Sequence, residues 1–380
     1  MTEKKLKGQF FTVNSDYILQ GFEEFVENKD IVDPFAGNQD LIRWAEKNSC
    51  KEVTGFDCDR KYIDQKKVFY NDSLNNQKKY KFVCTNPPYL HKNKADKKTK
   101  ERFFSGINSD FEDLYQVSIF SILNCEEGIL IVPLNFLSAK NSQRIRNIFF
   151  EKFEIIKLNI FSEQVFEDTT YNVISFYFRR KKHNKENNKI IATILPEGKR
   201  ISFEIAEKSN WQFGGSFLSK VKVVKNHLGI FRLTEDFLQT GKYKVMMGFQ
   251  NIKDKRNFYV NQNIKKLIEK NILLLRAIDS KNAKKIQLED IREYEISGLV
   301  GKSTSRNMAH LIFEQGISIQ EQKTLMQKFN QELNKNRQKY SSFFLTNFRD
   351  NNRKRISFDF AYKFLNYLYL EKYEKQPTLF

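Results

Sequence analysis

An Asn-Pro-Pro-Tyr turn is the feature of this sequence that most restricts its fold. The turn comprises Asn86–Tyr89 and follows the apolar run 80–84, a pattern typical of a buried strand. Two consecutive prolines hold φ at about −65° and thereby aim the Pro87 carbonyl oxygen. That oxygen and the Asn86 side-chain oxygen offer two acceptors for an exocyclic amino group, and the Tyr89 ring can lie flat on a planar substrate. An ordinary proline-stiffened turn is the alternative interpretation.

A second strand end precedes this turn in the chain. Ile31 and Val32 lead into Asp33-Pro34-Phe35-Ala36-Gly37, which indicates a strand, a tight glycine turn and then a helix from residue 40. Free helix N–H groups and small residues suit a nucleotide-like ligand. The full Gly-x-Gly-x-x-Gly pattern and a P-loop lysine are both missing, so dinucleotides and nucleoside triphosphates fit poorly. The carboxylate of Asp33 would suit a cationic amino group.

Two further aspartates follow, one at the end of a predicted strand and one at a third strand or loop. The predicted strand 52–57 ends at Asp57, which lies 24 residues after Asp33. That distance is close to the roughly 20-residue spacing at which an acid binds ribose hydroxyls in mononucleotide-binding folds. The pattern of residues 62–69 predicts a helix, and Asp72 then supplies another acid at a third strand or loop.

Together these motifs resemble those of the gamma-class, Taq-type N6-adenine DNA methyltransferases of type II restriction–modification systems. The matching positions are 7–12, Asp33–Gly37, Asp57, Asp72 and Asn86–Tyr89. Order and spacing separate the classes. Only 13 residues lie between Asp72 and Asn86, too few for the recognition domain that the alpha class inserts there, and the beta class has the motifs in the opposite order.

The resemblance implies an α/β fold of two domains. Residues 1–183 would form a Rossmann-like, S-adenosylmethionine (AdoMet)-dependent methyltransferase domain, whose mixed sheet of seven strands ends at Phe178. Residues 184–380 would form a mixed α+β target-recognition domain. The boundary falls in the charged, aperiodic stretch 179–188.

The resemblance also implies a reaction and a set of site residues. The AdoMet methyl group would move to the N6 amine of an adenine flipped out of double-stranded DNA, which protects host DNA from a cognate restriction endonuclease. Asn86, Pro87 and Tyr89 would be catalytic, and Tyr89 and Phe166 would stack on the target base, with Tyr171 as the alternative to Phe166. The cofactor would be bound by Thr12, Asp33, Pro34, Ala36, Gly37, Asp57, Cys58, Asp72, Ser73 and Asn86.

Positive charge is concentrated in the second half of the chain. Residues 1–190 contain 31 Lys and Arg against 27 Asp and Glu, whereas residues 191–380 contain 34 against 19. This asymmetry fits a polyanionic partner, although the composition of an AT-rich genome could also produce it. The basic loop 91–102 is either a phosphate-contacting segment or a solvated tip, and 241–260 resembles the target-recognition segment of the family. The candidate DNA-binding residues are Lys92, Lys94, Lys97, Lys98, Lys253, Lys255, Arg256, Lys302, Arg306, Arg353 and Arg355.

Several classes of protein are disfavoured. The four cysteines form no Cys-x-x-Cys pair and the histidines are scattered, which predicts reduced thiols and no metal site. No apolar run is long enough to span a membrane, and no signal-peptide core follows the N-terminus. We expect a monomer in the bacterial cytoplasm, associated with the nucleoid. Methylation of cytosine C5 would require a nucleophilic cysteine, usually after proline, and no Pro-Cys pair occurs.

Two rival functions share parts of the pattern. An Asn-Pro-Pro-Tyr turn also occurs in methyltransferases that act on release-factor glutamine or on guanine in ribosomal RNA, but those enzymes usually lack a large basic C-terminal half. A non-catalytic DNA-binding subunit with a vestigial AdoMet fold is the second rival. The presence of Asp33, Asp57, Asp72 and Asn86 argues against a vestigial site. An AdoMet-binding titration would distinguish an active methyltransferase from a non-catalytic subunit.

Overall fold

A nine-stranded sheet organises the first part of the chain. The computed structural model describes residues 8, 11–166, 172–280, 285–347 and 353–374, so Tyr171 and part of the segment 7–12 lie outside the described residues. The strands are β1 (Asp30–Asp33), β2 (Glu52–Asp57), β3 (Val68–Tyr70), β4 (Tyr80–Thr85), β5 (Cys125–Pro133), β6 (Phe153–Phe161), β7 (Val173–Arg180), β8 (Asn187–Leu195) and β9 (Lys199–Ala206).

The strand order is β3-β2-β1-β4-β5-β7-β6-β8-β9. Strands β3, β2, β1, β4 and β5 pair in parallel, whereas β7 runs antiparallel to both β5 and β6. An open, mostly parallel sheet whose order reverses beside β1 is the doubly wound arrangement. The first seven strands therefore confirm the predicted Rossmann-like α/β fold of AdoMet-dependent methyltransferases.

Helices cover this sheet. They are α1 (Ser15–Ile18), α2 (Glu23–Val26), α3 (Asp40–Lys47), α4 (Lys97–Phe103), α5 (Leu114–Ser121), α6 (Asn135–Ser138) and α7 (Gln143–Lys152). The central strands are apolar on both faces, as expected for strands with helices on either side. Phe149 of α7 packs edge-on against Phe176 and Phe178 of β7, with ring centroids 5.9 and 5.2 Å apart.

The predicted domain boundary at residue 183 lies too early. The first compact unit continues to Gly215, and the second begins at Ser216. The cause is β8, which pairs in parallel with β6 from Lys157↔Ile191 to Phe161↔Leu195 and then forms an antiparallel hairpin with β9. The apolar patterns of residues 190–195 and 201–205 predict both strands, but sequence periodicity does not reveal which edge a strand joins. They extend the expected seven-strand sheet to nine strands.

The segment 62–69 is not a helix, contrary to the prediction. Residues Arg60–Tyr62 form a single 3-10 turn and β3 begins at Val68. The carboxylate of Asp64 explains the difference, because its Oδ1 accepts hydrogen bonds from the backbone N–H groups of Lys66, Lys67 and Val68. An aspartate that binds its own downstream backbone in this way offers an alternative to helical hydrogen bonds.

The second unit is mixed α+β, as predicted. Its strands are β10 (Ile230–Arg232), β11 (Thr240–Phe249), β12 (Asn251–Val260), β13 (Leu273–Arg276), β14 (Gln287–Asp290), β15 (Gly298–Val300), β16 (Met308–Phe313), β17 (Thr346–Asn347) and β18 (Lys354–Arg355), and its helices are α8 (Gly215–Lys222), α9 (Gln262–Lys270), α10 (Ile319–Lys339) and α11 (Phe358–Glu374). Two sheets have the orders β10-β16-β13-β14 and β12-β11-β15.

One predicted element of this unit forms only in part. The pattern of residues 231–238 predicts a short helix, but Phe231 lies in β10 and pairs with Ile312 of β16, and only Glu235–Phe237 form a 3-10 turn. The long-range pairing outweighs the local helical pattern. None of the described helices is long and apolar enough to cross a membrane.

We predict that a fragment of residues 1–215 is more stable than one of residues 1–183. The shorter fragment leaves one edge of β6 unpaired and removes the buried side chains of Ile190, Ala192 and Ile194. Unpaired edges also template aggregation. Thermal unfolding followed by circular dichroism should therefore show a cooperative transition for 1–215 and a lower midpoint or precipitation for 1–183. Equal midpoints and equal solubility would place the boundary where the sequence predicted it.

Candidate functional site

Parallel strands bring the predicted site residues to one edge of the first sheet. Asp33 is the last residue of β1, Asp57 is the last residue of β2, and Asn86 directly follows β4. Because these strands are parallel, their carboxyl ends lie side by side. The Thr85 hydroxyl donates a hydrogen bond of 2.6 Å to Asp33 Oδ1 and so joins the end of β4 to that of β1.

A cavity of about 670 Å³ opens at this edge. A volume of this size lies within the usual range for small-molecule and cofactor sites. All ten residues predicted to bind a cofactor line it: Thr12, Asp33, Pro34, Ala36, Gly37, Asp57, Cys58, Asp72, Ser73 and Asn86.

The lining of the cavity is strongly acidic. The lining contains six carboxylates and two arginines, Arg60 and Arg102, and its other side chains are neutral. A cationic ligand is therefore favoured, and a ligand rich in phosphate would be repelled. The carboxylates belong to Asp33, Asp40, Asp57, Asp59, Asp72 and Asp96.

Asp33 is the most perturbed of these carboxylates. It is 2% exposed and accepts hydrogen bonds from Thr85 and, at 3.0 Å, from the Phe35 N–H. The pKa of Asp33 is raised to about 7. Burial is the main cause, the two hydrogen bonds oppose it, and the negative charges of Asp57 and Asp40 add to it. A cation placed beside this group would restore its ionised form.

Asp57 fixes the glycine turn that precedes α3. Its Oδ2 accepts a hydrogen bond from the Gly37 N–H at 2.9 Å, and its Oδ1 accepts one from the Asp59 N–H at 2.7 Å. Gly37 has φ of +46°, in the left-handed region that favours glycine. Burial is the main cause of the raised pKa of Asp57.

The side chain of Asn86 is held on both sides. Its Nδ2 donates to Thr12 Oγ1 at 3.0 Å, and the Tyr89 hydroxyl lies 2.6 Å from its Oδ1. The same hydroxyl lies 2.8 Å from the Ile131 carbonyl oxygen, so its single proton is shared between two acceptors. Tyr89 thus orients the side-chain amide of Asn86, a residue that lines the cavity.

Tyr89 and Phe166 are not placed to stack on a substrate in this structure. Tyr89 is 4% exposed and Phe166 is 3% exposed, and neither lines the cavity. The Tyr89 ring packs edge-on against Tyr115, with centroids 6.3 Å apart. The prediction that these rings stack on the target base is therefore wrong for this structure. The Asn-Pro-Pro-Tyr sequence does not reveal that the tyrosine hydroxyl binds buried partners, which places the ring in the interior.

The N-terminal segment clamps the Asn-Pro-Pro-Tyr turn. The Tyr89 N–H donates a hydrogen bond of 2.8 Å to the Gly8 carbonyl. Gly8 has φ of +68°, and a Cβ atom there would lie 2.5 Å from the Tyr89 carbonyl oxygen. Only glycine allows this approach. In the turn itself, Pro88 lines the cavity while Pro87 is buried beside it.

The basic segment after the turn is ordered and covers the cavity. It contains a 3-10 turn (Lys92–Lys94) and α4, whose N-cap Asp96 accepts from the Thr99 N–H. Arg102 of α4 forms an ion pair of 2.5 Å with Asp72. Sequence reasoning missed Asp96, Thr99, Arg102 and Phe103 as lining residues, because a charged stretch carries no signal for the surface on which it folds.

The predicted DNA-binding residues fall into two groups. Lys94, Lys97, Lys98, Lys253, Lys255, Lys302 and Arg306 are exposed. Lys92, Arg353 and Arg355 are half-buried: Lys92 donates to the Ser109 carbonyl and Arg353 to the Asp279 carbonyl. Arg256 is exposed but forms a bidentate ion pair with Asp254. The ion pair with Asp254 offsets the positive charge of Arg256, and the hydrogen bond to Asp279 occupies one N–H group of Arg353, so both are less available to a phosphate. No group of described residues has the make-up of a metal site.

We predict that Tyr89→Phe destabilises the protein by about 1–3 kcal/mol, because the buried carbonyl of Ile131 and the Asn86 oxygen lose their donor. Urea denaturation measures the change. Tyr70→Phe is the matched control: Tyr70 is 60% exposed, so its loss should change the free energy of unfolding by less than about 0.5 kcal/mol. Equal effects of the two substitutions would show that the Tyr89 hydroxyl contributes nothing.

Comparison with known proteins connects this site to methylases. Residues 8–166 match the sequence model of the family described as Eco57I restriction-modification methylase. No curated protein matches the chain.

Several of the solved structures similar to this one come from restriction–modification systems. A modification subunit of a putative type I restriction enzyme from Vibrio vulnificus YJ016 is 15% identical, with a TM-score of 0.39 over 50% of this chain and 48% of that one. The type IIG restriction endonuclease BpuSI is 11% identical, with a TM-score of 0.44 over 67% of this chain and 43% of that one. The M protein of the type I restriction enzyme EcoKI is 13% identical, with a TM-score of 0.35 over 50% and 49%. This chain spans less than half the length of each.

Proposed function

We propose that this protein is a site-specific DNA methyltransferase that transfers the methyl group of AdoMet to the N6 amine of adenine. The observation that carries the proposal is the single cavity in which six carboxylates and Asn86 of the Asn-Pro-Pro-Tyr turn meet. The six carboxylates favour a cationic cofactor, and Asn86 favours a substrate with an exocyclic amine. The match of residues 8–166 to a restriction-modification methylase family supports the same assignment.

The cavity fits AdoMet in charge and size. Bound AdoMet supplies an electrophilic methyl group on a sulfonium centre. Asp33 would hold the cationic amino end, and the carboxylate of Asp57 would accept hydrogen bonds from ribose hydroxyls. The remaining predicted residues, from Thr12 to Ser73, shape the walls. A nucleoside triphosphate is a poor alternative because it would add negative charge beside six aspartates.

The catalytic turn would activate the amine by positioning it. The lone pair of an adenine amine is delocalised into the ring, which makes it a weak nucleophile. The Asn86 oxygen and the Pro87 carbonyl oxygen would each accept one amine hydrogen and favour a pyramidal nitrogen, with its lone pair directed at the methyl group. Tyr89 donates a hydrogen bond to the Asn86 oxygen and so holds the amide in a fixed orientation.

Duplex DNA is the proposed substrate. The adenine would leave the stack to reach Asn86, and the second unit, at residues 216–380, would recognise the target. Residues 216–380 contain 31 Lys and Arg against 16 Asp and Glu, and this excess of positive charge suits a polyanion. In a type II restriction–modification system the product would be protected from a cognate endonuclease, with the methyltransferase acting as a monomer in the bacterial cytoplasm.

The decisive experiment is methylation of unmethylated genomic DNA with radiolabelled AdoMet, followed by sequencing for modified adenine. Wild-type protein should place the label on adenine at one recurring sequence. Label on cytosine, or incorporation only into ribosomal RNA or release factors, would overturn the proposal. No AdoMet binding in a calorimetric titration would instead favour a non-catalytic DNA-binding subunit.

We predict that Asn86→Ala lowers methylation by at least about 100-fold, because one of the two amine acceptors is lost, while duplex binding is retained. Single-turnover assays and gel-shift titrations measure the two quantities. The control is Asn124→Ala, an exposed residue just before β5, which should behave as wild type. Weakened duplex binding together with normal turnover of the remaining complex would contradict the role of Asn86.

The raised pKa of Asp33 predicts a pH-dependent affinity for AdoMet. Asp33 is protonated below its raised pKa of about 7, whereas a bound cation requires the carboxylate, so binding a cation releases a proton. The Kd should therefore increase as pH falls, by up to about tenfold per unit below pH 7. Titration calorimetry between about pH 5.5 and 7.5, where the cofactor's α-ammonium stays charged, measures this.

Asp33→Asn should weaken binding near pH 7.5 and abolish the pH dependence. Asp16→Asn, at an exposed carboxylate, is the control and should preserve it. A wild-type Kd that stays constant over this range would show that Asp33 does not change its protonation on binding.

A further inference from the structure

The segment 92–112, which contains α4, has both of its ends fixed at one place in the first unit. His91 and Asp113, which flank it, form an isolated antiparallel bridge. The Lys92 N–H donates a hydrogen bond of 2.7 Å to the Glu112 carbonyl oxygen, so the first and last residues of the segment are also joined. We call this segment the α4 loop.

The C-terminal end of the α4 loop is fastened to α7 and to the residues just before that helix. Phe111 is 1% exposed, and the Arg144 guanidinium lies 5.0 Å from its ring centroid. Arg144 also forms an ion pair with Asp110, and Asn141 Nδ2 donates a hydrogen bond of 3.0 Å to Glu112 Oε2. This end of the loop is therefore held by polar and apolar contacts together.

The helix α4 itself is held much less firmly. None of its seven residues is buried, and a helix of that length is marginal by itself. Among the described residues, the ion pair between Arg102 and Asp72 is the only hydrogen bond or ion pair that joins residues 96–106 to a residue outside the α4 loop. A segment with so few tertiary contacts opens at low free-energy cost.

The residues at the two ends of α4 would let the helix move as a unit. Ala95 lies just before the helix and Phe104 directly after it, and both side chains are buried. Gly106 has φ of +56°, and a Cβ atom there would meet no other atom within 4 Å, so neighbouring groups do not confine the backbone. The buried residues are anchors and Gly106 is a hinge.

The ion pair of Arg102 lies on the side of α4 that borders the cavity. Thr99, Arg102 and Phe103 line the cavity. The Arg102 side chain reaches Asp72, which follows β3 and lines the cavity as well. The ion pair therefore connects two walls of the cavity that belong to different elements.

Both partners of this ion pair are charged at neutral pH. Burial would raise the pKa of Asp72, but the hydrogen bonds that its carboxylate accepts from Arg102 and Asn75 lower the pKa below its ordinary value. The Arg102 side chain is 44% exposed and that of Asp72 is 15% exposed. A partly exposed ion pair changes an equilibrium by about fivefold, which is enough to favour closure and small enough to break in each turnover.

We propose that α4 is a lid over the cofactor cavity and that the ion pair between Arg102 and Asp72 is its latch. The inference rests on the proposed function for the identity of the ligand, AdoMet. Opening the latch would expose the cavity for cofactor entry and product exit, and closing it would exclude water and hold Thr99 and Phe103 against the ligand. Arg102 is thereby assigned as a positioning residue, which acts on the cofactor through α4.

The test measures the exchange of AdoMet in variants of the full-length protein. A chase of bound radiolabelled AdoMet with unlabelled cofactor gives the dissociation rate, and the Kd from calorimetry then gives the association rate. Arg102→Gln should raise both rates by about fivefold, because an open lid lets the ligand leave and enter. Arg102→Lys retains the charge and should restore much of the wild-type dissociation rate.

Arg60→Gln is the matched control. Arg60 is the other arginine of the lining and is exposed, and its side chain forms no ion pair with any described residue. This substitution removes the same charge from the cavity, which should speed the association of a cationic ligand but slow its dissociation. Faster dissociation is therefore specific to the loss of the latch.

Amide hydrogen exchange gives a second readout, which does not depend on turnover. AdoMet should protect residues 96–106 of the wild-type protein, and Arg102→Gln should raise exchange there while leaving residues 107–112 and α7 unchanged. Because Arg102 is exposed, a thermal midpoint within about 2 °C of wild type is expected.

The outcomes separate this inference from the proposed function. Equal dissociation rates for Arg102→Gln and Arg60→Gln, with unchanged exchange across residues 96–106, would make α4 a fixed wall and overturn the lid, while the methyltransferase assignment would stand. Faster dissociation in Arg102→Gln without faster association than in Arg60→Gln would make Arg102 a ligand contact and would also overturn the latch. A wild-type protein that binds no AdoMet would overturn both the inference and the proposed function.

Discussion

The parallel pairing of β1 with β2 and β4 is the constraint on which the site depends. It places the ends of three strands in one row, and each end carries a polar residue: Asp33, Asp57 and Asn86. The intervening crossovers leave an opening at that edge, and the cavity forms there because the chain order reverses beside β1. The acidic character of the cavity follows from this geometry, since several strand-end and loop aspartates face the same space.

Buried hydrogen bonds then convert this opening into a defined site. Thr85 ties β4 to Asp33, Asp57 holds the Gly37 turn, and Tyr89 holds the Asn86 amide. Buried polar groups are costly when unpaired, so such a network selects one arrangement of the side chains. The cost appears at Asp33, whose pKa rises to about 7 because burial outweighs its two donors. A cationic ligand would relieve that cost, so the burial of Asp33 contributes to the affinity for a cation.

Local sequence patterns predict some elements of this fold and fail for others. The strands of the first sheet and their polar ends follow from short-range patterns, and their order confirms the Rossmann-like fold. The segment 62–69 departed from its helical pattern because one carboxylate, that of Asp64, captures three backbone N–H groups. The hairpin of β8 and β9 was predicted as two strands, yet its place beside β6 depends on an edge that no local pattern describes.

The amino-acid sequence by itself determined which residues end the strands and which turn follows β4, because those features depend on hydrophobic periodicity, proline and glycine. It also determined the charge asymmetry and the spacing of the acids. Tertiary structure alone decided that ten separated residues share a cavity, that α4 covers it, and that Tyr89 turns inward to Asn86. Those outcomes depend on contacts between residues far apart in the chain, whose energies no local stretch of sequence contains.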